Sequence, residues 1–168
     1  PGERCRLFQA PFGGILMGAL ARLEELGVEL PSVAVPLASY IPATQVGDQV
    51  WTSGQLPVVG GELPAAGKVG AEVSLDKAQE LARTAALNAL AAIDGLVGLD
   101  RITRVIKVVG FVASDPSFTD QAAVINGASD FLGEVFGDAG IHARSAVGVA
   151  VLPKDSPVEI EIIVEIAE

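Results

Sequence analysis

From Val158 to Ile166 the chain alternates almost without interruption. Val158, Ile160, Ile162, Val164 and Ile166 share one parity, and Glu159, Glu161, Ile163 and Glu165 share the other. Successive side chains of a strand point to opposite faces, so this segment presents one aliphatic face and one mostly acidic face. A strand of that kind needs a cover on one side only. The cover is visible upstream. Ala78, Leu81, Ala82, Ala85, Ala89, Ala92, Ile93 and Leu96 recur at helical spacing, which predicts an amphipathic helix running from an N-cap at Ser74 to about Val97. A second helix is expected from about Thr119 to Phe136, with Val124, Ala128, Phe131, Leu132 and Val135 on one face.

The other elements follow from local chemistry. Ala19 to Leu30 predicts a short helix stopped by Pro31, with Pro31 to Pro36 as a linker. Val46 to Ser53 and Gln55 to Val59 predict two short strands, and Gly60–Gly61 is a hairpin signal. Further strands are expected over Arg101 to Ala113, Ala143 to Leu152 and Val158 to Ala167, the last two joined by a turn at Pro153 to Pro157. The order β-β-α-β-α-β-β predicts an α+β fold, a mixed sheet with two helices on one face. In the strand from Ala143, the β-branched parity of Ser145, Val147, Val149 and Val151 is expected against the helices. Arg144, Ala146, Gly148 and Ala150 would then share the bare face with the carboxylates. A bare face of small residues predicts an oligomer, with Arg144 near its interface.

Composition limits the function. With 168 residues the chain is one ordinary domain, long enough for a core without metal or disulfide staples. Met17 is its only methionine and is expected to be the native start, leaving 1–16 as an appended or flexible extension and 17–168 as a single domain with an N-terminal helix. Eleven basic against 21 acidic residues give a net charge of −10, without basic clusters. That balance argues against nucleic acid and anionic membrane as partners, because phosphates need neutralising cations. A single cysteine, Cys5, excludes an intramolecular disulfide and a cysteine-based zinc site, and a single histidine, His142, excludes a histidine-rich metal site. No metal or cofactor is expected, and a reducing cytoplasm is the expected location. The run from Leu7 to Ala21 is short for a membrane span of about 20 residues and is broken by Pro11, Gly13 and Gly14.

Three segments carry a resemblance. They are Val50-Trp51-Thr52-Ser53-Gly54-Gln55-Leu56-Pro57, then Ala143-Arg144-Ser145-Ala146-Val147, then Leu152-Pro153-Lys154 leading to Val158-Glu159-Ile160-Glu161. In that order, over roughly Ser39 to Glu165, the chain resembles the RidA/YjgF family of reactive-intermediate (enamine/imine) deaminases. The resemblance implies a chorismate-mutase-like α+β fold and a homotrimer with sites in clefts between subunits. It implies a hydrolytic deaminase that turns small 2-imino or enamino acids into 2-keto acids and ammonia without a cofactor. Carried over residue by residue, it implies Arg144 as the carboxylate ligand, Glu159 as the group that positions water, and Tyr40 as a further catalytic residue. Ser53 and Asn126 are implied as substrate-binding residues. The chain departs from the family where Ala146 stands in place of a frequent cysteine, in the loop between Arg144 and Glu159, in the long loop from Gly60 to Val73, and in the helix before Pro31.

The chemistry suits these residue types. A guanidinium grips a planar carboxylate with two hydrogen bonds. A carboxylate beside it can orient a water molecule and accept its proton. His142, just before the Arg144 strand, is expected to be an ordinary surface residue. Two other functions fit the same resemblance: a non-catalytic metabolite-binding or chaperone-like trimer, and the endoribonuclease or translation-inhibitor role attached to some relatives.

Overall fold

The computed structural model describes residues 18–33 and 39–167. The expected start at Met17, the extension before it, Cys5 and the last three residues of the linker lie outside the described residues. Helix α1 spans Ala19–Glu25 and strands β1 and β2 span Ala43–Val46 and Gln49–Thr52. Helix α2 (Leu75–Val97), strand β3 (Ile102–Ala113), helix α3 (Gln121–Phe136), strand β4 (Ala143–Val149) and strand β5 (Val158–Ile166) follow.

One five-stranded sheet has the order β1-β2-β5-β3-β4, antiparallel throughout except for the β3–β4 pair. The parallel pair is joined through α3, as a crossover requires. Both long helices pack on the same face of the sheet and against each other. Val158, Ile160, Ile162, Val164 and Ile166 are all buried there, so the alternation governs β5 as expected. They meet Ala78, Leu81, Ala82, Ala85, Ala89 and Ile93 of α2 in a single core that also holds Phe131 and Leu132 of α3. The alanines let α2 approach closely. At Gly127 of α3 an added Cβ would stand 2.1 Å from the Gln79 carbonyl oxygen. Ser74 caps α2, its hydroxyl accepting from the Lys77 N–H at 3.2 Å.

Three expectations need correction. First, α1 ends at Glu25, not Leu30. Gly27 adopts φ +67°, and the Val28 and Gly27 amides donate to the Leu23 and Glu24 carbonyls, a glycine C-terminal motif that stops the helix before Pro31. Second, the turn chemistry read at Gly47–Asp48 is a hairpin turn, so the strand expected from Val46 begins only at Gln49 and Val46 closes a separate strand. Gly47 supplies φ +61° between Val46 and Gln49. Beyond Thr52, Gln55 makes one isolated bridge to Ile160, and Val59 one to Glu62 around the Gly60–Gly61 tip, so the second expected strand is reduced to bridges.

Third, the two faces of β4 are the reverse of the expectation. Val108 pairs with Arg144, Gly110 with Ala146 and Val112 with Gly148, and partners in a parallel pair share a face. Val108 and Val112 are buried beneath the helices. A Cβ on Gly110 would collide with Ile125 of α3, and one on Gly148 would meet Gln121 at 2.9 Å. Ala146 therefore packs against the core under α3, and Arg144 lies on the helix side. Val147, 44% exposed, belongs to the bare face with Val109, Phe111 and the β5 carboxylates.

Candidate functional site

The expected site residues fall into two groups, one at each flank of the molecule. The first gathers around Gly54. Strand β2 ends at Thr52, whose hydroxyl accepts from the Ile162 amide at 2.9 Å and locks the strand end onto β5. Ser53 then ties back the preceding segment. Its amide donates to the Pro42 carbonyl at 2.8 Å and its hydroxyl to the Ile41 carbonyl at 2.6 Å. The Ser53 hydroxyl proton is thus committed to holding the segment that carries Tyr40. Tyr40, half exposed, lines a cavity of about 580 Å³ with Gly54, Gln55, Leu56, Asn88 and Lys154. Asn88 of α2 donates to the Leu56 and Val58 carbonyls at 2.8 and 3.0 Å, fixing the wall of that cavity.

Glu159 lies against this group. A Cβ on Gly54 would fall 1.9 Å from Glu159 Oε1, so the missing side chain at Gly54 is the space the carboxylate occupies. Burial, and secondarily the charge of Glu161, raises the Glu159 pKa above the usual carboxylate value. That shift makes it a better proton acceptor. The turn before Glu159 holds two non-glycine residues in the left-handed region, Lys154 at φ 57° and Asp155 at φ 55°. Such residues persist only where surroundings hold them. Here Lys68 Nζ reaches Asp155 at 2.6 Å, and the Gly67 amide donates to the Asp155 carbonyl at 2.9 Å. The long loop from Gly60 to Val73 therefore braces the turn that delivers Glu159.

The second group centres on Arg144. Its Nη1 donates to Asn126 Oδ1 at 2.8 Å and to Ser129 Oγ at 3.2 Å, and Nη2 donates to the Ala122 carbonyl at 3.3 Å. All three acceptors belong to α3. A guanidinium has five N–H donors. The Nε–H and the second Nη2 hydrogen meet no acceptor among the described residues, and those two nitrogens form the edge that takes a carboxylate side-on. Asn126 and Arg144, both expected at the site, are in direct contact. Beside them a shallow cavity of about 320 Å³ is lined by Ser129, Gly133, Gly140, Ile141, His142 and Arg144.

One chain does not bring the two groups together. Arg144 is on the helix side of β4 and Glu159 on the opposite side of β5, with β3 between them. Two strand spacings amount to roughly 10 Å before the thickness of the sheet is added. A three-carbon acid bound to Arg144 cannot touch Glu159 of the same chain. Sequence reasoning missed Ser129, His142 and Asn88. Ser129 stands one turn beyond Asn126 on α3, and that spacing was the available signal. Among the described residues no group of three metal-ligating side chains converges, and no helix is long and apolar enough to cross a membrane.

A family model described as "YjgF/chorismate mutase-like, putative endoribonuclease" matches residues 20–166. Protein TCP17 of Trypanosoma cruzi is 44% identical over 150 residues, covering 87% of this chain and 92% of that protein. The crystal structure of Atu1372 from Agrobacterium tumefaciens, a protein of unknown function, is 45% identical with a TM-score of 0.83, covering 89% of this chain and 92% of that one. The E. coli TdcF crystal structure with bound serine is 31% identical with a TM-score of 0.60, covering 82% of this chain and 94% of that one.

Proposed function

The chain belongs to the YjgF/RidA family, and from that premise we propose that it is a hydrolytic deaminase of small 2-imino and enamino acids. The observation that carries this reading is the Arg144 guanidinium, held by three acceptors of α3 with a two-donor edge left over. The carboxylate of an imino acid fits that edge. TdcF holds serine, which presents the same acid group. Glu159, with its raised pKa, is the base. Water adds to the C=N carbon as Glu159 accepts its proton. That proton passes to the imine nitrogen to give the carbinolamine; Glu159 then takes the carbinol hydroxyl proton and returns it to the amine as the C–N bond breaks, and the nitrogen leaves as ammonia. The products are one 2-keto acid and one ammonia. Tyr40 lines the cavity beside Gly54, the residue against which the Glu159 carboxylate packs, and is assigned to hold the polar end of the substrate opposite Arg144.

Because Arg144 and Glu159 face opposite sides of one sheet, the reading requires Glu159 of one chain to meet Arg144 of another. A homotrimer in which the β4 edge of one chain, with Arg144, packs against the bare sheet face of the next, with Glu159, supplies that meeting. Val147 and Trp51, 44% and 47% exposed, give the bare face an apolar surface to bury. The partner is thus a small 2-imino or 2-keto acid, with no membrane or nucleic acid. The net charge of −10 disfavours the endoribonuclease reading.

The test generates an imino acid in situ with an amino-acid oxidase and follows its decay. Wild type accelerates decay with release of ammonia, while Arg144→Ala and Glu159→Gln do not. Binding of a keto acid without any acceleration would favour a non-catalytic binding trimer. Salt-dependent RNA binding with cleavage would favour the endoribonuclease.

A further inference from the structure

We propose that His142 and Ser129 act as a relay that sets the orientation of Arg144, and that both are positioning residues for carboxylate binding. The inference rests on Arg144 being the carboxylate ligand. His142 Nδ1 lies 2.5 Å from the Gly140 carbonyl oxygen, and Nε2 lies 2.9 Å from Ser129 Oγ. A carbonyl oxygen only accepts, so Nδ1 carries the ring proton and Nε2 of the neutral ring is the acceptor. Arg144 only donates. Ser129 Oγ therefore accepts from Arg144 and donates its own proton to His142. With the ring in its neutral form this arrangement of protons satisfies every contact, and it aims the serine hydroxyl at Nε2.

The base of the relay is rigid. Gly140 is buried at the end of a short 3-10 turn over Gly137–Gly140. A Cβ there would stand 2.4 Å from the Leu132 carbonyl oxygen, so the turn is pressed against α3. The path runs from α3 through Gly140, His142 and Ser129 to Arg144. Without His142 the Ser129 hydroxyl turns toward a carbonyl one turn back in its own helix, the usual habit of a mid-helix serine. Its lone pair no longer points at Nη1, and Arg144 is held by Asn126 and Ala122 alone. The edge that meets the substrate then wanders.

The experiment measures pyruvate binding by calorimetry, and KM and kcat for an imino acid made in situ. The variants are Arg144→Ala, Ser129→Ala, His142→Ala, His142→Gln and the double variant of Ser129 and His142 to alanine. One lost positioning bond corresponds to about a fivefold effect. His142→Ala and Ser129→Ala each raise the pyruvate Kd and the KM about fivefold, with kcat within twofold of wild type. The double variant is no worse than either single one. His142→Gln, whose side-chain oxygen accepts where Nε2 did, returns the Kd to within twofold of wild type. Loss of pyruvate binding in Arg144→Ala with no change in His142→Ala would overturn the relay and leave the carboxylate reading intact. Unchanged binding in Arg144→Ala would overturn the carboxylate reading itself. Fully additive effects of Ser129 and His142 would also overturn the relay. If His142→Ala fails to fold, Ser129→Ala and His142→Gln decide the question.

Discussion

Gly54→Ala tests the proposed base without touching it. The added methyl would be placed 1.9 Å from Glu159 Oε1, 2.7 Å from Cδ and 3.0 Å from Cγ. Real Cβ contacts essentially never fall below 3.0 Å, so the carboxylate must retreat by about 1 Å or more. The atoms in the way are the far end of a flexible side chain, and the move costs the fold little. Gly54 is not among the residues with positive φ, so alanine is tolerated by the backbone as well. Catalysis is less forgiving. A displacement of about 1 Å in a reacting group costs on the order of 100-fold in rate, about 2.7 kcal/mol of transition-state stabilisation. The variant should lose about 100-fold in kcat for imino-acid hydrolysis. Its thermal midpoint should stay within a few degrees of wild type, and its pyruvate Kd, set by Arg144, should hold. Imine decay, thermal melts and calorimetry on the same preparation check all three. A Gly54→Ala enzyme with kcat within threefold of wild type would refute Glu159 as a positioned base.

Glu159→Gln should melt above wild type at pH 7.5, with the gap closing as pH falls toward 4. A carboxyl whose pKa is raised on folding loses stability as pH rises through that window, and the glutamine has no charge to bury; a gap that widens in acid would contradict this. Arg144→Lys should fail to restore pyruvate binding, since an ammonium lacks the two-donor edge; calorimetry within threefold of wild type would refute the fork. Gly127→Ala and Gly133→Ala should move the melting temperature in opposite directions. The first drives a methyl into the Gln79 backbone and should cost about 1–3 kcal/mol, whereas the second meets nothing within 4 Å and should gain about 0.5–1 kcal/mol. For a chain of this size each kcal/mol is about 2–4 °C.

The fold was more legible than the site, and the reason is periodicity. Period two in Val158–Ile166 and the helical stripe in Leu75–Val97 are each written over many residues, so a local deviation does not erase them. Strand β4 is seven residues at a sheet edge, with a β-branched parity and a small parity. Composition pointed the β-branched residues inward. What decided the matter was the space left by α3: at Gly110 of the neighbouring strand a Cβ would stand 2.4 Å from Ile125, so the helix lies too close for a side chain there. A small residue can mean a bare surface or a crowded one, and the sequence does not distinguish them. The same ambiguity hid the Arg144 environment. Its acceptors Ala122, Asn126 and Ser129 come from a helix about 20 residues upstream in sequence, and His142 reaches Ser129 only because Gly140 folds the chain back onto that helix. Arg144 and Glu159 are likewise separated by nothing visible in the sequence, yet the register puts them on opposite faces of one sheet. That separation makes assembly a condition of the proposed chemistry. If light scattering at micromolar concentration gave the mass of a single chain in a preparation that hydrolyses imines, then Glu159 could not be serving the acid held by Arg144, and the base would have to be sought near Ser129 and His142 instead.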